Sequence, residues 1–109
     1  MNVTGNPRVA LEPKLLKTEG KTSILSLRVI EDRDVRVKGV WTKRPVRINL
    51  LTFGKFAESL ATRVKKGDLL EFNGELSERG FTDKAGNARS VHEVIANKVK
   101  ILRHAVSKS

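Results

Sequence analysis

Val46-Arg47-Ile48-Asn49-Leu50-Leu51-Thr52-Phe53-Gly54-Lys55-Phe56-Ala57-Glu58-Ser59-Leu60-Ala61-Thr62-Arg63-Val64-Lys65-Lys66-Gly67 changes its hydrophobic period in the middle. Up to Phe53 the period is two. Val46, Ile48 and Leu50 fall on one face, and Arg47, Asn49, Leu51 and Phe53 on the other, as in a strand with one buried side. From Lys55 onward the apolar residues Phe56, Leu60 and Val64 recur at spacing four with Ala57 and Ala61 beside them, which is the stripe of an amphipathic helix. The pattern predicts a helix over Lys55 to Lys65. Lys65 and Lys66 then sit where the negative end of the helix dipole favours cations, and Gly67 is placed as a C-cap.

Downstream the strand period returns. Asp68 to Leu76 carries Leu70, Phe72 and Leu76 in register, with Gly74 at a candidate bulge. Asp83-Lys84-Ala85-Gly86-Asn87 has the composition of a hairpin tip. A last strand runs from Ser90 to about Leu102, and its apolar parity shifts between Ala96 and Val99, which predicts a bulge near Asn97-Lys98. Upstream, Ser23 to Glu31 alternates, with Leu25, Leu27 and Val29 facing one way and Ser26 and Arg28 the other. Asn2 to Val9 reads as a bent first strand, interrupted by Gly5 and Pro7 and resumed at Leu15-Leu16 after Pro13. Arg33 to Arg44 loses the alternation and reads as an extended basic loop or a hairpin arm. The order is three strands, a helix and two strands. An all-β, five-stranded OB-fold barrel with one α-helix between strands 3 and 4 has that order. On periodicity alone, a five-stranded open sheet with a covering helix fits it too.

A chain of 109 residues accommodates one domain. The expected division is an OB-fold domain over residues 1–103 and a short polar tail over residues 104–109. With 22 Lys and Arg against 12 Asp and Glu the net charge is +10, a surface that attracts polyanions. The absence of Cys excludes disulfides and thiolate metal sites. Glu31, Asp32 and Asp34 cluster without a His or Cys partner, so neither metal nor cofactor is expected. No GxSxG, HExxH or phosphate-binding glycine loop is present, and neither His92 nor His104 has a persuasive catalytic partner; the chain does not read as an enzyme. No apolar run is long enough to cross a bilayer, and no signal peptide is visible at Met1-Asn2-Val3-Thr4-Gly5. A cytoplasmic protein is expected.

Asn49-Leu50-Leu51-Thr52-Phe53-Gly54-Lys55-Phe56-Ala57-Glu58 resembles the "VVxFGKxAE" segment of bacterial single-stranded DNA-binding proteins. Val64-Lys65-Lys66-Gly67-Asp68 is similar to their helix end. Asn73-Gly74-Glu75-Leu76, with Phe81 to Arg89 after it, looks like their strand and hairpin, and Glu93-Val94-Ile95-Ala96 like their closing strand. Asn2 to Pro7 is a weaker likeness. The resemblance spans about residues 2 to 102 and implies the OB-fold barrel, single-stranded DNA as the partner, and a homo-oligomer, a tetramer or else a dimer.

It also implies the site. Phe53 matches a stacking aromatic of the family, and Phe81 stands where the family often has Trp. Arg47 takes the place of another Trp, and its guanidinium plane can stack or bind phosphate. Lys55, Arg79, Lys84 and Arg89 are the natural phosphate contacts, and Asn49 and the basic residues Arg33, Arg36, Lys38, Lys43 and Arg44 complete the set. Trp41 either stacks on the strand or packs at a subunit interface. Phe56 and Phe72 fall on the apolar stripes and are expected in the core.

The function expected is a sequence-tolerant coat that protects single-stranded DNA by base stacking and phosphate contacts. A primosome-type adaptor that binds single-stranded DNA and a helicase is an alternative, separable by its dimeric state. An RNA- or tRNA-binding OB module is another, separable by competition between DNA and RNA strands. The chain stops at His104-Ala105-Val106-Ser107-Lys108-Ser109, which is basic. The acidic tip that recruits partner proteins in replicative members is therefore not expected.

Overall fold

A computed structural model describes residues 1–105. The strands are β1 (Asn2–Gly5), β2 (Arg8–Val9), β3 (Lys14–Lys17), β4 (Ser23–Val37), β5 (Val40–Phe53), β6 (Leu69–Thr82) and β7 (Ala88–Arg103), and α1 (Gly54–Ala61) is the one helix among the described residues. This overturns the expected five-stranded OB-fold barrel with a helix between strands 3 and 4. Seven strands share one sheet, in the order β1-β6-β2-β4-β5-β7 with β3 against β4 and a further pairing of β6 with β7, and the helix lies between β5 and β6. The miscount has a local cause. Pro7 and Pro13 cannot donate to a ladder, so residues 2–17 make three short strands instead of one.

The stretch between Arg33 and Arg44 is no loop. β4 and β5 pair without a break from Ile24↔Phe53 to Val37↔Val40. Lys38 and Gly39 make the turn with φ of 48° and 81°, the positive values that a two-residue hairpin needs to match strand twist. β6 and β7 form a second long antiparallel pair, and β5 joins β7 in parallel only at Leu50↔Val94 and Leu51↔Ile95.

Between these two hairpins lies a core of Val9, Leu25, Leu27, Val29, Leu50, Ala57, Leu60, Val64, Leu70, Phe72, Val94, Ala96 and Val99. The helix contributes Ala57 and Leu60 to it and ends at Ala61, with Thr62 as C-cap, short of the expected Lys65. Val64 continues the buried stripe from the following turn, and Gly67 belongs to the turn that opens β6 rather than to the cap. Phe72 is buried as expected, but Phe56 is 37% exposed and outside the core.

In β7 the partner of Asn73 is Lys98 and the partner of Gly74 is Ala96, so Asn97 is the extra residue of a bulge. It lets Val94 and Ala96 on one side and Val99 on the other all point inward. Gly74 stands opposite. A Cβ there would lie 2.5 Å from the Ile95 carbonyl oxygen and 2.9 Å from Ala96 Cα. Backbone cannot yield as a side-chain tip can. Gly74→Ala is therefore expected to cost roughly 1–3 kcal/mol, a fall of about 5–20 °C in melting temperature for a domain of this size. A thermal melt coincident with the parent's would show that β7 gives way at no cost.

The last described residues are docked. Asp68, 1% exposed, accepts the backbone N–H of Lys65 (2.8 Å) and of Ala105 (2.8 Å) and lies 3.2 Å from His104 Nδ1. Burial pushes its pKa up, but the Ala105 and Lys65 amides and His104 together outweigh it and leave the carboxyl below its ordinary value. Of the tail expected over residues 104–109, residues 106–109 lie outside the described part. Among the described residues no helix is long and apolar enough to cross a membrane.

Candidate nucleic-acid interface

The unbroken β4–β5 register assigns every side chain of the hairpin to one of two faces. One face carries Leu25, Leu27 and Val29 with Thr52, Leu50 and Ile48 into the core, and runs on through Glu31/Val46 and Arg33/Arg44. The other face turns away from the core. Its rows are Ile24/Phe53, Ser26/Leu51, Arg28/Asn49, Ile30/Arg47, Asp32/Pro45, Asp34/Lys43 and Arg36/Trp41. Of the expected site residues, Phe53, Asn49, Arg47, Lys43, Trp41 and Arg36 thus share one surface. Arg33 and Arg44 lie on the opposite face, and Lys38 is in the turn. Phe53 is 41% exposed and Trp41 69%, large apolar areas left in water; beside Phe53 the inward-facing Leu25 and Leu50 are buried, whereas Val40 beside Trp41 is itself 64% exposed.

The parallel rungs between β5 and β7 carry this outer face across the sheet. Leu51 meets Ile95, and the rows continue onto β6 as Ile95/Glu75, Glu93/Ser77, Val91/Arg79 and Arg89/Phe81. A chain of side-chain hydrogen bonds crosses the same four strands. Ser26 Oγ donates to Asn49 Oδ1 (3.2 Å), Asn49 Nδ2 to Glu93 Oε2 (3.3 Å), and Arg79 Nε to Glu93 Oε1 (2.9 Å). Phe81, 45% exposed, projects from the same face where the β6–β7 hairpin extends past the sheet. Because the parallel ladder is only two rungs long, the two hairpins leave the body as separate arms. Trp41 lies on one arm and Phe81 on the other.

Several of the expected cations have other duties. The Arg33 guanidinium donates to the Thr4 carbonyl (2.6 Å) and pairs with Glu31 (3.5 Å), whose carboxylate also accepts the Asn6 amide (2.7 Å). Together they hold the end of β1 on β4, and Gly5 fits beneath them because it has no Cβ. Arg89 pairs with Asp83 at 2.9 Å. Asp83 also accepts the amides of Ala85 (3.0 Å) and Asn87 (2.9 Å), which shapes the hairpin tip. The bond from Arg89, helped by those amides, holds the Asp83 carboxyl below its ordinary pKa. Lys84 at the tip and Lys55 at the start of α1 are exposed, and neither is in an ion pair among the described residues.

The sequence did not single out Ser26, Arg28 or Glu93 as part of this surface. Ser26 and Arg28 carried a signal, since they sit on the polar side of the alternating stretch before Glu31. Glu93 carried none, because its partners come from β5 and β6. No group of three or more His, Cys, Asp or Glu residues suited to a metal occurs among the described residues. The surface offers exposed rings, free cations and hydrogen-bonding amides, which are the groups that hold unstacked bases and phosphates.

Residues 3–102 match the model of the Single-strand binding protein family. "Single-stranded DNA-binding protein 2" of Streptococcus agalactiae serotype V is 32% identical over 96 residues, which cover 87% of this chain and 71% of that relative. "Single-stranded DNA-binding protein 3" of Clostridium acetobutylicum is 31% identical over 96 residues, covering 87% of this chain and 65% of the relative. A shorter match, 40% over 55 residues, joins 50% of this chain to 41% of "Single-stranded DNA-binding protein 2" of the same Clostridium.

Proposed function

The chain belongs to the Single-strand binding protein family, and on that premise we propose that its outer β4–β5–β7–β6 face binds single-stranded DNA, coating and protecting it without chemistry on the strand. The observation that carries this is the company kept by the exposed rings. Trp41, Phe53 and Phe81 stay in water on a face that also bears Arg28, Arg36, Lys43 and Arg47, while the opposite face fills the core from Leu25 to Val29 and from Ile48 to Thr52. Apolar rings grouped with cations on one surface mark a binding site. Every base has a flat face that can stack on such a ring, so the contact is tolerant of sequence. The cations take the phosphates between the stacked bases. Asn49 and the rings supply the contacts that a folded duplex cannot use, since its bases are already stacked and paired.

The assembly we propose is a homotetramer. Among the described residues β1 is hydrogen-bonded on one side only, to β6, and an open strand edge invites pairing with another chain. Leu15 and Leu16 on β3 are 45% and 56% exposed and add apolar area outside the strand-binding face.

Fluorescence anisotropy with labelled oligo-dT, duplex DNA and oligo-U of equal length, on protein whose oligomeric state has been measured by light scattering, tests the reading. Oligo-dT is expected to bind most tightly. Equal affinity for duplex sinks it, and tighter binding of oligo-U replaces it with an RNA-binding function.

A further inference from the structure

We propose that Glu93 determines which part of a nucleic acid the centre of this face accepts. The proposal rests on the strand-binding reading above and assigns a positioning role within it. Glu93 is 6% exposed, although it lies on the outer face and not in the core. A carboxylate taken out of water is costly unless it is paired and hydrogen-bonded. Here both oxygens are engaged, Oε1 by Arg79 Nε at 2.9 Å and Oε2 by Asn49 Nδ2 at 3.3 Å. The consequence runs the other way as well. Arg79 is 63% exposed in its side chain, yet its charge is cancelled where it stands.

The middle of the face is therefore a neutral floor. Leu51, Ile95, the Asn49 amide and the Glu93–Arg79 pair make it up. Cations without an ion pair among the described residues flank it on β4 and β5, at Arg28, Arg47, Lys43 and Arg36, and Lys84 stands on the far arm. A single strand can lay a base on the floor and swing its phosphates to the flanks. A duplex presents phosphates outward and keeps its bases inside. A phosphate set on a neutral floor loses water and gains no counter-charge. Charge arrangement of this kind suppresses wrong partners more than it strengthens the right one. Glu93 thus acts through Arg79, by keeping its guanidinium from serving as a phosphate site.

Glu93→Gln keeps the shape and an acceptor for Arg79 but removes the charge. Oligo-dT affinity is expected to change by less than about threefold, while duplex affinity rises about tenfold, the effect of roughly 1.4 kcal/mol. The duplex salt dependence, log K against log salt, is expected to steepen by about 0.9, one added phosphate. A folded variant with the parent's single-strand to duplex ratio and slope overturns the proposal. So does a parallel loss of both affinities with a lowered melting temperature, which is what a purely structural Glu93 would give. Arg79→Gln provides a second arm should the first variant fail to fold. Its single-strand salt slope is expected to match the parent's, and a slope shallower by about 0.7 would mean that Arg79 is a phosphate contact after all. The parent protein is measured alongside. If it shows no preference for single strands, the strand-binding reading itself fails; if the preference is present and survives Glu93→Gln, only the assignment of Glu93 fails.

Discussion

Raising the salt from about 50 mM to about 200 mM is expected to weaken oligo-dT binding on the order of 300-fold. The estimate comes from the cations on or beside the outer face. Arg28, Arg36, Lys43, Arg47, Lys55 and Lys84 are exposed, and none is held in an ion pair among the described residues. Arg33, Arg79 and Arg89 are left out because Glu31, Glu93 and Asp83 already neutralise them. Each phosphate neutralised on a single strand releases condensed counterions and contributes about −0.7 to the slope of log K against log salt. Six such contacts give a slope near about −4. The measurement is a salt series in anisotropy at fixed pH. A slope shallower than about −2 would mean that most of these cations do not touch the strand.

Phe53→Ala combined with Phe81→Ala is expected to cost roughly 2–6 kcal/mol of binding, since stacking is worth about 1–3 kcal/mol per base. In affinity that is from about 30-fold to more than about 10,000-fold. Near-additivity follows from position. The β5–β7 rungs and the β6–β7 register set the two rings eight residues apart along the strand direction, roughly 25 Å at the usual rise. Sites so far apart without shared partners add within a few tenths of a kcal/mol. Neither ring belongs to the core cluster, so the melting temperature of the double variant is expected to stay within a few degrees of the parent's. Its salt slope is expected to be unchanged, because no charge has been removed. Two single variants that both bind like the parent would remove the rings from the site and leave the cations alone.

Much of this surface is legible in the sequence. Period-two alternation in Val46 to Phe53 put Arg47, Asn49 and Phe53 on one face, and that depends only on the pleat. The stretch from Arg33 to Arg44 was harder. Its strands carry charges on both faces, so no hydrophobic alternation shows, and its Lys38-Gly39 turn lacks the usual Asn or Asp. The sequence carries the helix past Ala61 because Val64 and Gly67 repeat the signals of a last turn and a cap while serving the turn before β6. Phe56 continued the apolar spacing but faces out, since Ala57, Leu60 and Val64 already fill the space over β4. The strand count failed at the prolines. Arg33 looked like any other cation of the basic stretch. Only the fold brings the end of β1, about thirty residues away in sequence, within reach of its side chain and gives its guanidinium the Thr4 carbonyl to hold. Glu93 is the same case, a residue whose meaning lies in partners on other strands.

The single unpaired residue at Asn97 makes the far half of β7 sensitive to counting rather than to chemistry. Drawn into the ladder as an ordinary rung, it would exchange inside for outside for each later side chain, so that Lys98 and Lys100 would enter the packed interior while Val99 and Ile101 faced the solvent. Swapping the letter at that point asks little of the molecule, because the side chain is exposed. Shortening the chain there by one instead makes Ala96 and Lys98 consecutive rungs opposite Gly74 and Asn73 and leaves every later side chain on its present side, so lineages descended from this sequence can lose the position as readily as they vary the residue.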